Sequence, residues 1–144
     1  MNYFYKYIFS KKIPGRARLF RVLGWDGIFF DVNGFDVFLD PNDYVDSQVL
    51  EYGYYEQHVL DCVLKNTKDA DVFWDVGGNV GLHSFSVKYA KPSVEVYCFE
   101  PNPRSMAKIM KSRKKNNIQI NIASVAMSSS ISLPKLSIMS SGNS

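Results

Sequence analysis

Two carboxylates, Asp75 and Glu100, bracket a run of glycines, Gly77-Gly78-Asn79-Val80-Gly81. Asp75 closes the apolar run Val72-Phe73-Trp74, and Glu100 closes Val94-Glu95-Val96-Tyr97-Cys98-Phe99. An apolar run, glycine punctuation and then Leu82-His83-Ser84-Phe85-Ser86-Val87 predict a buried strand, a tight turn and the start of a helix. A turn of this kind lets the backbone approach a ligand closely, with the first N–H groups of the helix facing the same space. The chemistry it suits is the binding of a nucleotide-type cofactor.

The spacing decides which one. A dinucleotide fingerprint places glycine first, third and sixth, whereas this loop has Asn79 at the third position and Gly81 at the fifth. Asp75 argues the same way, because a pyrophosphate beside it would meet roughly 4 kcal/mol of repulsion at about 4 Å and an effective dielectric near 20. A cationic ligand reverses that sign, and S-adenosyl-L-methionine carries a sulfonium and an amino group. Glu100 lies about twenty positions past the glycines, where an acid at the tip of the neighbouring strand accepts hydrogen bonds from ribose hydroxyls. NAD sites use the same device, so an NAD-binding oxidoreductase stays as a disfavoured alternative. A non-catalytic cofactor-binding module and an interaction fragment are the others.

The two motifs Asp75-Val76-Gly77-Gly78-Asn79-Val80-Gly81 and Phe99-Glu100-Pro101-Asn102-Pro103 resemble those of the FkbM-type methyltransferases, a Rossmann-like S-adenosylmethionine-dependent family. The family wording has Ala where this chain has Gly78, a small-for-small exchange. The resemblance runs from about Tyr54 onward. It implies a doubly wound α/β fold and methyl transfer, often to a hydroxyl of a sugar, lipid or small metabolite. Carried over by position, Asp75, Gly77, Gly78, Asn79 and Gly81 hold the methionine end of the cofactor and Glu100 its ribose. Asn102 lies near the adenine, with Ala126 as the small residue beside it. The acidic motif that the family carries on its next strand is absent, so a Rossmann-like sheet incomplete at the C-terminus is expected.

Stepping outward, 144 residues of which 46% are hydrophobic and 15% aromatic are enough for one folded domain. Residues 1–25 form a basic arm, with Lys6, Lys11, Lys12, Arg16, Arg18 and Arg21 and no acid. Its aromatic residues make it a candidate for peripheral contact with anionic lipid, against a helix packed on the domain with solvated charges. Residues 26–53 form an accessory β-hairpin region, because Asn33-Gly34 joins two apolar-rich runs. Asp31, Asp36 and Asp40 are expected to face water. Residues 54–144 form the partial methyltransferase domain.

Within that domain, Tyr54-Tyr55-Glu56 leads into a helix through about Lys65, with Val59, Leu60, Val63 and Leu64 as its stripe. Glu56 either caps this helix or reaches the cofactor, and capping is favoured. His83, in the first turn after the glycine loop, is a weak candidate for a general base. Pro103 opens a helix with Met106, Ile109 and Met110 inward, and Lys108, Lys111, Arg113, Lys114 and Lys115 as a solvated face. No stacking aromatics are interleaved with those cations, so nucleic acid is not expected as a partner. Ile118 to Ile122 alternates as a strand, and Ile131 to Ile138 reads as an edge strand.

Cys62 and Cys98 are expected as buried free thiols, which suits a cytoplasmic location. No metal-ligand spacing occurs, and Asp40, Asp43 and Asp46 lack the glycine and distal glutamate of a calcium loop. No stretch is apolar for a membrane-spanning length. The expected partner is a small-molecule, glycan or lipid acceptor.

Overall fold

A computed structural model describes residues 27–128; the basic arm of residues 1–25 and the expected edge strand at 131–138 lie outside them. The first element is an antiparallel hairpin of β1 (Ile28–Val32) and β2 (Phe35–Leu39), in register Val32↔Phe35 through Ile28↔Leu39. Asn33 at φ 55 and Gly34 at φ 104 both take left-handed conformations, as the two-residue turn requires. Two helices follow, α1 (Tyr44–Tyr52) and α2 (Gln57–Asn66). Then come β3 (Val72–Val76), α3 (Leu82–Ala90), β4 (Glu95–Phe99), α4 (Pro103–Asn116) and β5 (Asn121–Ala123).

Strands β3, β4 and β5 form one parallel sheet in that order, with α3 and α4 as the crossovers. Parallel strands demand such crossovers, and the alternation of strand and helix is the α/β Rossmann-like arrangement expected from the sequence. A single core joins the hairpin to this unit, with Phe30, Val37, Leu39, Phe85, Val96 and Ile109 almost wholly buried within it. The hairpin is tied to α4 by side chains as well. Ser112 Oγ accepts from the Phe38 N–H at 2.8 Å, and Asn116 Oδ1 accepts from the Asp36 N–H at 2.7 Å. The Asn116 amide donates back to Asp36 O at 2.6 Å, so the outer edge of β2 is paired by a helix instead of a strand.

The structure departs from the sequence expectations at several elements. Helix α1 was not expected; Asp43 caps it by accepting from Val45 N at 3.1 Å, and Gly53 ends it at φ 86. Lys108 is not part of a solvated face. It is buried, and its ammonium donates to the fully buried Asp46 at 2.6 Å. Helix α4 therefore turns Ser105, Lys108, Ile109 and Ser112 inward and leaves Met110 exposed. On α2 only Leu60 is buried, while Val59 and Cys62 are exposed, so just one of the two thiols is buried. The last strand begins at Asn121, after the stretch of alternating isoleucines starts.

Strand β3 is not buried on both faces. Val72, Trp74 and Val76 are more than half exposed, and Trp74 packs edge-on against Tyr97 and Phe99 at ring distances of 6.5 and 5.5 Å. Among the described residues nothing covers this face of the sheet.

Candidate functional site

The site is built at the C-terminal ends of β3 and β4. The chain leaves β3 at Val76 and turns over the end of β4, where Gly77 and Gly78 donate their N–H groups to Phe99 O at 2.8 and 3.2 Å. Gly77 stands at φ 80 with no atom within 4 Å of where a Cβ would sit, so its bare side faces open space. Gly81 stands at φ 79 and begins α3, and a Cβ there would press on Phe85 at 2.9 Å. Both positions need glycine, one for conformation and open approach, the other for conformation and helix packing.

Gly78 is glycine for another reason. A Cβ at this position would lie 2.4 Å from Cys98 Sγ and 3.1 Å from Asp75 Oδ2. The exchange of Gly78 for alanine, neutral on sequence grounds, is thus coupled to the thiol beneath it. Burial first, and then the charges of Asp75 and Glu100, push the Cys98 thiol up to about 11 against a hydrogen bond from Ser84. Cys98 is consequently a protonated space-filler between the two acids at neutral pH.

Asp75 sits at the end of β3 and is 9% exposed. Its Oδ2 accepts from the Ser84 hydroxyl at 2.6 Å and from the Ser84 N–H at 3.1 Å, so this carboxylate holds the first turn of α3 from below. Glu100, 7% exposed, clasps the loop from the other side. One oxygen accepts from Asn79 N at 2.8 Å and the other from Asn102 N at 2.7 Å. A carboxylate has about four acceptor positions, so both oxygens retain capacity for a further donor. Asn79 is left-handed at φ 50, and its side-chain oxygen accepts from Ser105 at 3.2 Å. Asn102 is the N-cap of α4, accepting from Arg104 N at 2.9 Å. Ala126 is exposed beyond β5.

A cavity of about 260 Å³ opens beside the loop. Gly77, Gly78, Asn79 and His83 line it together with Tyr55 and Glu56, which lie at the entry to α2. His83 Nε2 is buried there without a hydrogen-bond partner. Glu56 does not cap α2 with its side chain, contrary to the favoured reading; it stands in the left-handed region at φ 52 and ψ 45. The charge of Glu56 is the leading cause of a raised Tyr55 pKa. The structure thus brings the glycine loop and both strand-end acids to one end of the sheet, while the hollow itself is lined by Gly77, Gly78 and Asn79 with Glu56 and His83. Asp75, Gly81, Glu100, Asn102 and Ala126 line no part of it. The sequence signal for Glu56 was its place directly before a helix, which argued for capping.

Among the described residues no group of three or more His, Cys, Asp or Glu can hold a metal ion, and no helix is long and apolar enough to cross a membrane.

Parallel strands and crossover helices, with an acid–glycine loop–acid arrangement at the strand ends, make the fold α/β and Rossmann-like, a fold shared with solved methyltransferases. A tRNA (uracil-54, C5)-methyltransferase of Pyrococcus abyssi, solved with S-adenosyl-L-homocysteine, superposes with a TM-score of 0.51 at 14% identity, over 68% of this chain and 23% of that one. A Pyrococcus horikoshii protein described as a transferase gives a TM-score of 0.51 at 13% identity, over 88% of this chain and 64% of that one. In sequence, a hexuronic acid methyltransferase, AglP of Haloferax volcanii, is 40% identical over 48 residues, which are 33% of this chain and 19% of that protein. The match therefore spans about a fifth of that relative's length. No protein-family model matches the chain.

Proposed function

We propose that this chain binds S-adenosyl-L-methionine and belongs to an FkbM-type methyltransferase acting on a hydroxyl of a sugar, lipid or small metabolite. The observation that carries the reading is the clasp at the sheet's end. Glu100 holds Asn79 of the glycine loop at 2.8 Å while the open side of Gly77 faces free space beside it. The short likeness to a methyltransferase of hexuronic acid supports a hydroxyl-bearing sugar acceptor.

The fit is one of shape and charge. The bare Gly77 admits a ligand against the backbone, and Glu100 keeps acceptor capacity for hydroxyl donors such as those of a ribose. The bound cofactor would supply a methyl group on a sulfonium, open to in-line displacement. The chain's own residues bind, orient and shield. Val80 and Leu82, both buried, give the cavity lining its apolar part and help exclude water there. His83 lines the cavity, with its Nε2 buried and without a hydrogen-bond partner, and is the candidate general base.

Calorimetric titration with S-adenosylhomocysteine and with NAD tests the reading. Binding of the first and not the second supports it; binding of NAD alone would overturn it. Methyl transfer to uronic acid or other sugar hydroxyls in vitro then separates an enzyme from a bare binding module.

A further inference from the structure

We infer that Glu56 is the anionic anchor for the α-ammonium group of the cofactor's amino-acid end, an assignment that rests on the cofactor reading above. A carboxylate is needed for that group, since an ammonium offers three donors and no acceptor. Of the acids near the loop, Asp75 turns its Oδ2 to the Ser84 hydroxyl and N–H, and Glu100 bonds Asn79 N and Asn102 N. Neither forms the cavity wall. Glu56 does, in a lining it shares with Gly77 and Gly78.

Its backbone gives the second observation. Glu56 holds φ 52 and ψ 45, a conformation that costs an L-residue energy and that glycine or asparagine fills more readily. The helix it precedes draws no side-chain cap from it, although its carbonyl accepts from Val59 N at 2.9 Å. A strained residue whose carboxylate does not cap its own helix is retained for what that side chain meets. The neighbouring Tyr55 phenol, which also lines the hollow, is pushed above its ordinary pKa first by the Glu56 charge, in keeping with a carboxylate held close to it. The first turn of α3, whose Leu82 and His83 share this lining, presents the positive end of its dipole, which suits the carboxylate end of the same amino-acid group. The hollow thus combines a carboxylate with a helix N-terminus, the two features a zwitterion needs.

The test uses two ligands that differ in that zwitterion alone among their ionic groups. S-adenosylhomocysteine carries it, and 5′-methylthioadenosine keeps the adenosine and thioether without it. Calorimetric titration of the full chain and its Glu56→Gln variant should show S-adenosylhomocysteine weakened about tenfold or more, the size of one charge-assisted hydrogen bond, and 5′-methylthioadenosine changed less than about twofold. Glu56→Gly serves as the second variant, because it removes the carboxylate while relieving the left-handed backbone, so loss of folding does not obscure the result. Equal affinity of wild type and both variants for S-adenosylhomocysteine would overturn the assignment and leave the cofactor reading standing. Equal weakening for both ligands would overturn it as well, by showing a general collapse of the pocket. Wild-type protein that binds neither ligand would overturn the cofactor reading itself and this assignment with it.

Discussion

Lys108 and Asp46 lie 62 positions apart in sequence, yet the Lys108 ammonium donates to Asp46 Oδ2 at 2.6 Å in a site closed to water. The pair pins α4 to α1, with Asp43 at 3.5 Å as a more exposed second anion. Burial pushes the Asp46 carboxyl up from 3.8 to about 6, outweighing the pull of Lys108 in the other direction. The native state therefore holds this proton more tightly than the unfolded chain. Stability from this group is fully present below about pH 4 and is lost as the pH rises through about 6.

Removing the cation should expose that cost. Lys108→Met is expected to lower stability at pH 7 by about 3 kcal/mol, the usual loss on breaking a buried pair from one side. The deficit should shrink at pH 5, where Asp46 is neutralised in the folded state. Urea unfolding at the two pH values measures it, and an equal deficit at both would contradict the burial of an ionised Asp46. Replacing both partners, as Lys108→Met with Asp46→Leu, should recover most of the loss.

A second expectation concerns the loop and the thiol beneath it. Gly78→Ala should destabilise by about 1–3 kcal/mol, because the new methyl group overlaps Cys98 Sγ. Adding Cys98→Ala should restore the space, so that the double variant melts close to Cys98→Ala alone. Additive losses in a thermal-melt cycle would show that the two positions do not compete for one volume.

The third expectation separates the acid beneath the loop from the one on the cavity wall. Ser84→Ala removes the hydroxyl donated to Asp75 at 2.6 Å and should cost about 1–2 kcal/mol of stability. Asp75→Asn should cost a similar amount, and should change S-adenosylhomocysteine affinity less than Glu56→Gln does. A larger affinity loss at Asp75, measured by calorimetry, would return the cation-facing role to the strand tip.

Asn116 provides the fourth. Its amide both accepts from Asp36 N and donates to Asp36 O, imitating a neighbouring strand. Asn116→Asp keeps an acceptor but loses both amide donors and faces two carbonyls with a charge, the second being Ser112 O. It should therefore be more damaging than Asn116→Ala, which is expected to cost about 1–3 kcal/mol. Chemical denaturation of both variants settles the order.

Much of the architecture could be read from residue patterns because local signals dominate there. Asn33-Gly34 admits the two left-handed residues of its turn, and Pro103 marks the start of α4. The positions of Asp75 and Glu100 followed from the ends of apolar runs. What escaped the sequence depends on contacts between distant segments. Asp46 and Lys108 look like surface charges until α1 and α4 are brought together. For Glu56 the sequence left two roles, capping and reaching the cofactor, and favoured capping; the absence of a side-chain cap and its place in the cavity lining turn on backbone angles that residue type does not encode. The exposed side of β3 was equally invisible, since Val72, Phe73 and Trp74 read alike whether one face of a strand is covered or two.

The pairing of β2 with α4 also sets an order of events during synthesis. Asp36 emerges from the ribosome 80 residues before Asn116, a delay of roughly 4–16 s at about 5–20 residues per second. Throughout that interval the nascent hairpin has only solvent to satisfy its outer edge. Its completion is consequently a late step, and a ribosome stalled before α4 would carry an open strand available to any neighbouring chain.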